Sequence, residues 1–350
     1  MRRTSIGRVL GSGRWRGLRV GAAALAALGV VGVLSPAVAS ASAQQQPLSW
    51  TKLTTPVRPF AREGQSMAYD GATGSVVLFG GAASGCCLGD TWTWNGTTWT
   101  EQHPATSPPA RTLAAMAYDA ATGTVVLFGG TNRHDDLGDT WIWDGTTWTE
   151  QHPATSPPAR SQATMAYDAA TGTVVLFGGE GRLGTLGDTW TWNGTTWTEQ
   201  HPATSPPARS SATMAYDAAT GTVVLFSGQF KLDDTWTWDG TTWTKQTPAT
   251  SPPGRYLAYM AYDAATGTVV LYGGAARGTG NLCYLGRTWT WDGTTWTAQT
   301  PAAHPSARAE GAMVYDAATG TVVLFGGSGY ATTRCSGSRA VLFEQTWTWG

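Results

Sequence analysis

The sequence predicts an all-β fold: a six-bladed β-propeller of four-stranded antiparallel blades, its last blade completed by a strand from the mature N-terminus. Three observations predict it. A unit of about 49 residues recurs along the chain, each unit contains four strand-length segments, and the tryptophans outside the N-terminal leader divide evenly among six units.

The repeats are anchored by Arg62, Arg111, Arg160, Arg209, Arg255 and Arg308. In the third repeat the first strand follows the arginine and runs over Met165–Asp168. Ala169-Ala170-Thr171-Gly172 is then a hairpin loop, with aspartate favouring the turn and glycine supplying a positive φ. The second strand, Thr173–Phe177, is apolar throughout, which predicts cover on both faces. The third is Thr189–Trp192, and Asn193-Gly194 predicts a two-residue hairpin into a fourth strand, Thr195–Gln200. That hairpin sets Trp192 opposite Thr195 and Trp190 opposite Trp197, with the three tryptophans on one face and the threonines on the other. A small isolated sheet cannot bury such a face, so it needs the next blade. The proline-rich connector His201–Ala208 must cross about 14 Å, three strand spacings, and eight extended residues at about 3.1 Å each reach that distance.

Of 19 tryptophans, Trp15 lies in the leader and 18 remain, three per blade. The last repeat holds only Trp347 and Trp349 before the chain ends at Gly350. Its missing fourth strand is found at the other end, in Trp50-Thr51-Lys52-Leu53, because Trp50 precedes Arg62 by the same interval that separates Trp99 from Arg111. The blades therefore cover about 62–104, 111–153, 160–202, 209–248, 255–301, and 308–350 joined by 47–55, in a single domain over 44–350.

The double glycines after the apolar strand (Gly80-Gly81, Gly129-Gly130, Gly178-Gly179, Gly273-Gly274, Gly326-Gly327), with the downstream aromatic and tryptophan, resemble the Kelch repeat family over essentially the whole mature chain. Blade four departs with Ser227-Gly228. The resemblance implies a propeller, and its members include enzymes, adhesins and adaptors, so it supplies no activity by itself.

Residues 1–43 stand outside the fold. Six arginines and no acid precede or enter an apolar run, Val20–Leu34, followed by small-residue sites within 39–43, and the preferred cut lies after Ala43. This is the pattern of a secretory signal peptide, and the apolar run is short for a membrane span. The chain is therefore expected to be secreted or held at the cell surface, with no stable membrane span after cleavage. The formal charge of −1 becomes −7 once the leader's six arginines are removed, and no basic tract remains for nucleic acid.

Near-identical repeats encode scaffold, so their differences point to function. Between the second glycine, or its equivalent, and strand three, the loops run 8, 8, 8, 5, 12 and 17 residues, all on one face. Cys86 and Cys87 lie in the blade-one loop, Cys283 in that of blade five and Cys335 in that of blade six. In an exported chain this predicts disulfides rather than a metal site, with three connectivities open, including a vicinal Cys86–Cys87 pair. No cofactor or metal is called for.

The six arginines should ring one mouth of the channel, each balanced by the aspartate that opens strand three: Asp90, Asp139, Asp188 or Asp234. Blade five has Arg287 and blade six Gln345 there, so Arg255 and Arg308 lack that partner. Tyr256, Tyr259, Glu310 and Glu63 break the repeat beside them. The candidate ligand site is this sector: Arg62, Glu63, Arg255, Tyr256, Tyr259, Arg308 and Glu310, with the arginines as anion contacts.

The absence of a catalytic set favours a binding or adhesion module for a protein or glycan. The alternative is a sugar-processing enzyme. Resemblance to galactose oxidase is poor, because Cys283-Tyr284 has no histidines suited to copper beside it. Resemblance to sialic acid mutarotases implies only an acid/base group and an anion clamp, for which Glu310 or Glu63 with Arg255 or Arg308 would serve. A structural surface protein without a small ligand is the third reading.

Overall fold

In a computed structural model of the chain, the residues described are 48–229, 232–277, 282–330, 335 and 340–350. The expected leader, residues 1–43, and its expected cleavage site lie outside them. The described residues form six radial sheets, five of four strands and one of five, each wound from an inner strand to an outer one. In blade one the strands are Ser66–Asp70, Ser75–Phe79, Thr91–Trp94 and Trp99–Gln102. Blade three extends its central pair to Thr173–Gly181 and Gly184–Trp192, and Arg160–Ser161 adds a short fifth strand.

Blade six closes as the tryptophan arithmetic requires. Trp50–Leu53 pairs antiparallel with Thr346–Trp349, Trp50 opposite Trp349 and Leu53 opposite Thr346. The N-terminal strand is thus the outer strand of the sheet that also holds Ala312–Asp316 and Thr321–Phe325.

The hairpin between strands three and four differs from the expected two-residue turn. Trp192 faces Trp197 and Trp190 faces Glu199, so four residues, Asn193–Thr196, form the connection and strand four begins at Trp197. Asn193 explains the longer turn: its Oδ1 accepts from the Thr195 and Thr196 amides at 3.1 and 2.9 Å and from the Thr195 hydroxyl at 3.1 Å. The register is off by two, which is a full side-chain period, so the three tryptophans still share a face.

Three hydrogen-bond circuits run around the ring and close across the seam. In the first, the outer-strand tryptophan of each blade donates Nε1 to the first threonine of strand three in the preceding blade. Trp99 reaches Thr346 at 2.9 Å, Trp148 reaches Thr91 at 3.0 Å, and so on to Trp50, which reaches Thr288 at 2.8 Å. In the second, the second glycine of each pair donates its amide to the next blade's anchoring arginine carbonyl, as Gly130 does to Arg160 at 2.9 Å and Gly327 to Arg62 at 2.8 Å.

The third circuit lies nearest the axis. Gly64, Leu113, Gln162, Ser211, Leu257 and Glu310 each stand two residues after their arginine, and all have φ between 56° and 65°. Each amide in this set donates to the preceding member's carbonyl: Leu113 to Gly64 at 2.7 Å, Glu310 to Leu257 at 3.2 Å, and Gly64 to Glu310 at 2.6 Å across the seam. Left-handed backbone is unfavourable for L-residues such as Leu113, Leu257 and Glu310, and the closed ring of amide bonds holds them there.

The first glycine of each pair is fixed by close approach. A Cβ on Gly178 would stand 2.4 Å from the Arg209 carbonyl oxygen of the next blade. Blade four places Ser227 here at φ 61°, and its hydroxyl engages Arg255: the Arg255 amide donates to Ser227 Oγ at 2.8 Å. Between blades the core is apolar. Val174, Leu176, Trp192 and Trp197 pack with Ala115, Val126 and Phe128 of the preceding blade, and equivalent clusters recur around the ring.

Candidate functional site

The six anchoring arginines do not ring the channel mouth as exposed charges. All are 2% exposed or less, and each turns back into its own blade. Nε donates to the carbonyl two residues earlier and Nη1 to the first glycine carbonyl (Ser227 in blade four): for Arg111, to Pro109 at 3.0 Å and Gly129 at 2.9 Å. In blades one to four the rest of the fork grips the strand-three aspartate. Arg111 Nη1 and Nη2 reach the two Asp139 oxygens at 2.6 and 2.7 Å, and Arg62, Arg160 and Arg209 hold Asp90, Asp188 and Asp234 in the same way. The same carboxylate accepts an indole N–H, from Trp141 at 2.6 Å in blade two. Burial alone would raise these aspartates; the arginine fork and indole outweigh it and hold Asp90, Asp139, Asp188 and Asp234 below the usual carboxylate range. Arg62 is therefore a clasp residue with its fork filled by Asp90, contrary to its expected place as an anion contact.

The two blades without aspartate differ from each other. Arg308 Nη2 donates to Gln345 Oε1 at 3.0 Å, and its guanidinium lies 4.0 Å from the Phe343 ring centroid. Arg255 keeps its bonds to Pro253 and Gly273, and no described side chain takes the place of the carboxylate.

At the mouth, Glu310 sits in the innermost hydrogen-bond circuit and Glu63 lies one residue before its blade-one member, Gly64. Glu63 pairs with Ala82 through amide–carbonyl bonds of 3.1 and 2.7 Å, which places it at the base of the blade-one loop. Burial, and then the negative charge of Glu63, push the Glu310 carboxyl up to about 7. The blade-five loop contributes Tyr284, whose hydroxyl is raised by burial and also by the charges of Glu310 and Glu63. Its ring meets Tyr330 of the blade-six loop edge-on, centroids 5.0 Å apart. Tyr256 joins them in a small apolar cluster with Ala275 and Ala309.

These loops are joined covalently. Cys283 and Cys335 form a disulfide and their backbones pair, linking the loops of blades five and six. Cys86 and Cys87 form a short strand opposite Ala82–Ala83.

Tyr259 is placed differently from the rest of the expected site. It is 4% exposed, stacked on Tyr272 with centroids 6.5 Å apart, in a wall of the central channel. Its ring fits because blade six carries Gly311 where most blades have alanine. A Cβ there would lie 3.1 Å from Tyr259 Cζ, and one on Gly327 would lie 2.9 Å from the hydroxyl. The structure thus brings Glu63, Tyr256 and Glu310 together in one sector at the mouth, keeps Arg255 and Arg308 beneath the surface, and builds Tyr259 into the wall. The sequence does not single out Tyr330, and it brings in Tyr284 only through the copper comparison. Their signal is weak: each lies in a variable loop, Tyr284 directly after a cysteine.

A family model, the KLHDC2/KLHL20/DRC7 Kelch-repeats domain, matches residues 42–191 and again 97–245. Among solved structures, one titled "Structure of YjhT" has a TM-score of 0.62 and 14% sequence identity over 84% of this chain and 99% of that chain, a likeness of fold. No curated protein sequence matches.

Proposed function

This chain belongs to the Kelch-repeat propellers, and from that premise we propose that it is an exported enzyme acting on a sugar, with Glu310 as its acid/base group at the channel mouth. The observation that carries the reading is the Glu310 carboxyl, raised to about 7 by burial and by Glu63. A group with that value is divided between acid and base near neutral pH, which suits chemistry made only of proton transfers. Opening and reclosing a reducing sugar ring is such chemistry. A proton leaves the anomeric hydroxyl and another reaches the ring oxygen, with no change of oxidation state and no cofactor. Tyr256 and Tyr330, packed on the buried Tyr284, supply apolar surface for a sugar face beside it. Export is supported by the leader and by the Cys283–Cys335 disulfide, which suits an oxidising compartment.

The test is the rate of anomer interconversion, read by exchange NMR on a panel of free reducing sugars and sugar acids. The mature protein should accelerate at least one, and Glu310→Gln should remove the acceleration without lowering the melting temperature at neutral pH. Equal rates with and without protein across the panel would sink the enzymatic reading.

A second reading has its own observation. The variable loops share one face, and the longest two are tied by a disulfide, as suits a rigid surface for binding a protein or glycan. Glycan-array binding that survives Glu310→Gln would support it.

A further inference from the structure

In four blades, one carboxylate satisfies two donors at once: the arginine fork and the first indole N–H of strand three. Asp188 accepts from Arg160 at 2.6 and 2.7 Å and from Trp190 Nε1 at 2.7 Å. Blade five keeps both donors and loses the acceptor. Arg255 is 2% exposed, and its Nε and Nη1 bonds to Pro253 and Gly273, 3.0 and 2.9 Å, match those of its siblings, so its fork points at residue 287 as theirs point at aspartate. Residue 287 is arginine. Trp289 is 9% exposed, and its Nε1 is buried without a hydrogen-bond partner. A buried indole N–H and the free edge of a buried arginine's fork therefore stand where a carboxylate belongs.

A buried guanidinium without a counter-charge and an unpaired indole N–H are both unfavourable. The surroundings add positive charge rather than relieve it. Burial and then the charge of Arg287 bring Arg255 down to about 10. On the outer side of Arg287 a groove of about 210 Å³ opens to solvent, lined by Arg287, Thr288, Gln299 and His304 among others. Blade six shows what an internal repair looks like, with Gln345 and Phe343 on Arg308. Among the described residues, blade five has none.

We propose that the blade-five clasp is a binding site for a small carboxylate ion, which enters from the Arg287 groove and takes the position that aspartate holds in blades one to four. Its two oxygens accept from the Arg255 fork in the bidentate manner of the siblings, one of them also accepts from Trp289 Nε1, and Arg287 adds charge from the groove side. The site belongs to the clasp layer and does not depend on the mouth carboxylates or on catalysis there.

Acetate is the probe. The mature protein is melted in sodium acetate and in sodium chloride at equal ionic strength and pH 7. Acetate should raise Tm over chloride by an amount that grows with the logarithm of its concentration above Kd, because a ligand at a hundred times its Kd raises the folded-to-unfolded ratio about a hundredfold. Arg287→Asp supplies the carboxylate from within; it should melt higher than wild type in chloride and be indifferent to acetate. Trp289→Phe keeps most of the ring and removes the donor, and should weaken acetate about tenfold in direct titration by ¹³C-acetate line broadening. Identical wild-type melting in the two salts, or an acetate effect that survives in Arg287→Asp, would overturn the proposal.

Discussion

Truncating Trp50 to alanine tests ring closure with controls built into the molecule. The indole is 1% exposed, its ring centroid lies 5.2 Å from Tyr272 and 5.6 Å from Trp349, and its Nε1 donates to Thr288 at 2.8 Å. Trp99 and Trp148 occupy equivalent positions in blades one and two, each 1% exposed or less and bonded to Thr346 and Thr91 at 2.9 and 3.0 Å. Removing a fully buried tryptophan costs about 3–5 kcal/mol, and orphaning the buried threonine hydroxyl adds about 1 kcal/mol. Trp148 sits in continuous chain, so Trp148→Ala should show the full cost. Trp50 lies on the first strand of the described fold, so its cost is capped by the free energy of docking that strand, beyond which the strand undocks. Urea unfolding of residues 44–350, followed by far-UV circular dichroism, gives each value from the midpoint and slope. Trp50→Ala should lose at least about 3 kcal/mol, and deletion of residues 44–56 should lose at least as much, leaving no stable propeller. A loss below about 1 kcal/mol at Trp50, alongside a full loss at Trp148, would show that the ring stands without its closing strand.

Two further outcomes follow from the charged groups. Asp139→Ala leaves Arg111 buried without a counter-charge and Trp141 Nε1 without an acceptor, and should cost about 3 kcal/mol in the same assay; an effect under about 1 kcal/mol would mean the clasp contributes little. Glu310, raised from 4.5 to about 7, keeps its proton in the folded state where the unfolded chain has released it, so stability should fall as pH rises from about 4.5 to 7 and level off above. The difference between wild type and Glu310→Gln should carry that decline, and parallel curves for the two would contradict a raised carboxyl.

Much of the fold is legible in the sequence because the repeat supplies its own alignment. Positions that match across units, such as Trp99 and Trp148, must meet the same surroundings, and one missing tryptophan in blade six points to Trp50. The hairpin register was misjudged because Asn193-Gly194 favours a tight turn in isolation, whereas the Asn193 side chain captures the two amides that follow Gly194 and widens the loop. The parity of the strand protected the burial assignment from that error. The site was less legible. Arg62 and Arg255 are equivalent in sequence, and the difference between them lies 28 and 32 residues downstream, at Asp90 and Arg287. That pairing could be reasoned from the repeat, but the direction of the fork could not, because it depends on carbonyls such as Gly80 that turn every guanidinium inward, away from the channel.

The loss of aspartate in two neighbouring blades separates replacement from vacancy. In blade six, Gln345 accepts from Arg308 and Phe343 covers the cation, so neutral groups take up part of the lost interaction. Trp347 Nε1 nonetheless stays without a partner, since one amide oxygen does not reach both donors as a carboxylate does. In blade five, the substitution does more than remove an acceptor: Arg287 places a second cation against the first. A neutral residue there would have relieved the repulsion at little cost, as blade six shows. Two converging donors beside an added positive charge form an arrangement that is unfavourable empty and favourable when an anion fills it. Blade five therefore differs from its siblings in the way a receptor differs from a scaffold, and it does so on the side of the ring where the long loops and the mouth carboxylates also depart from the repeat.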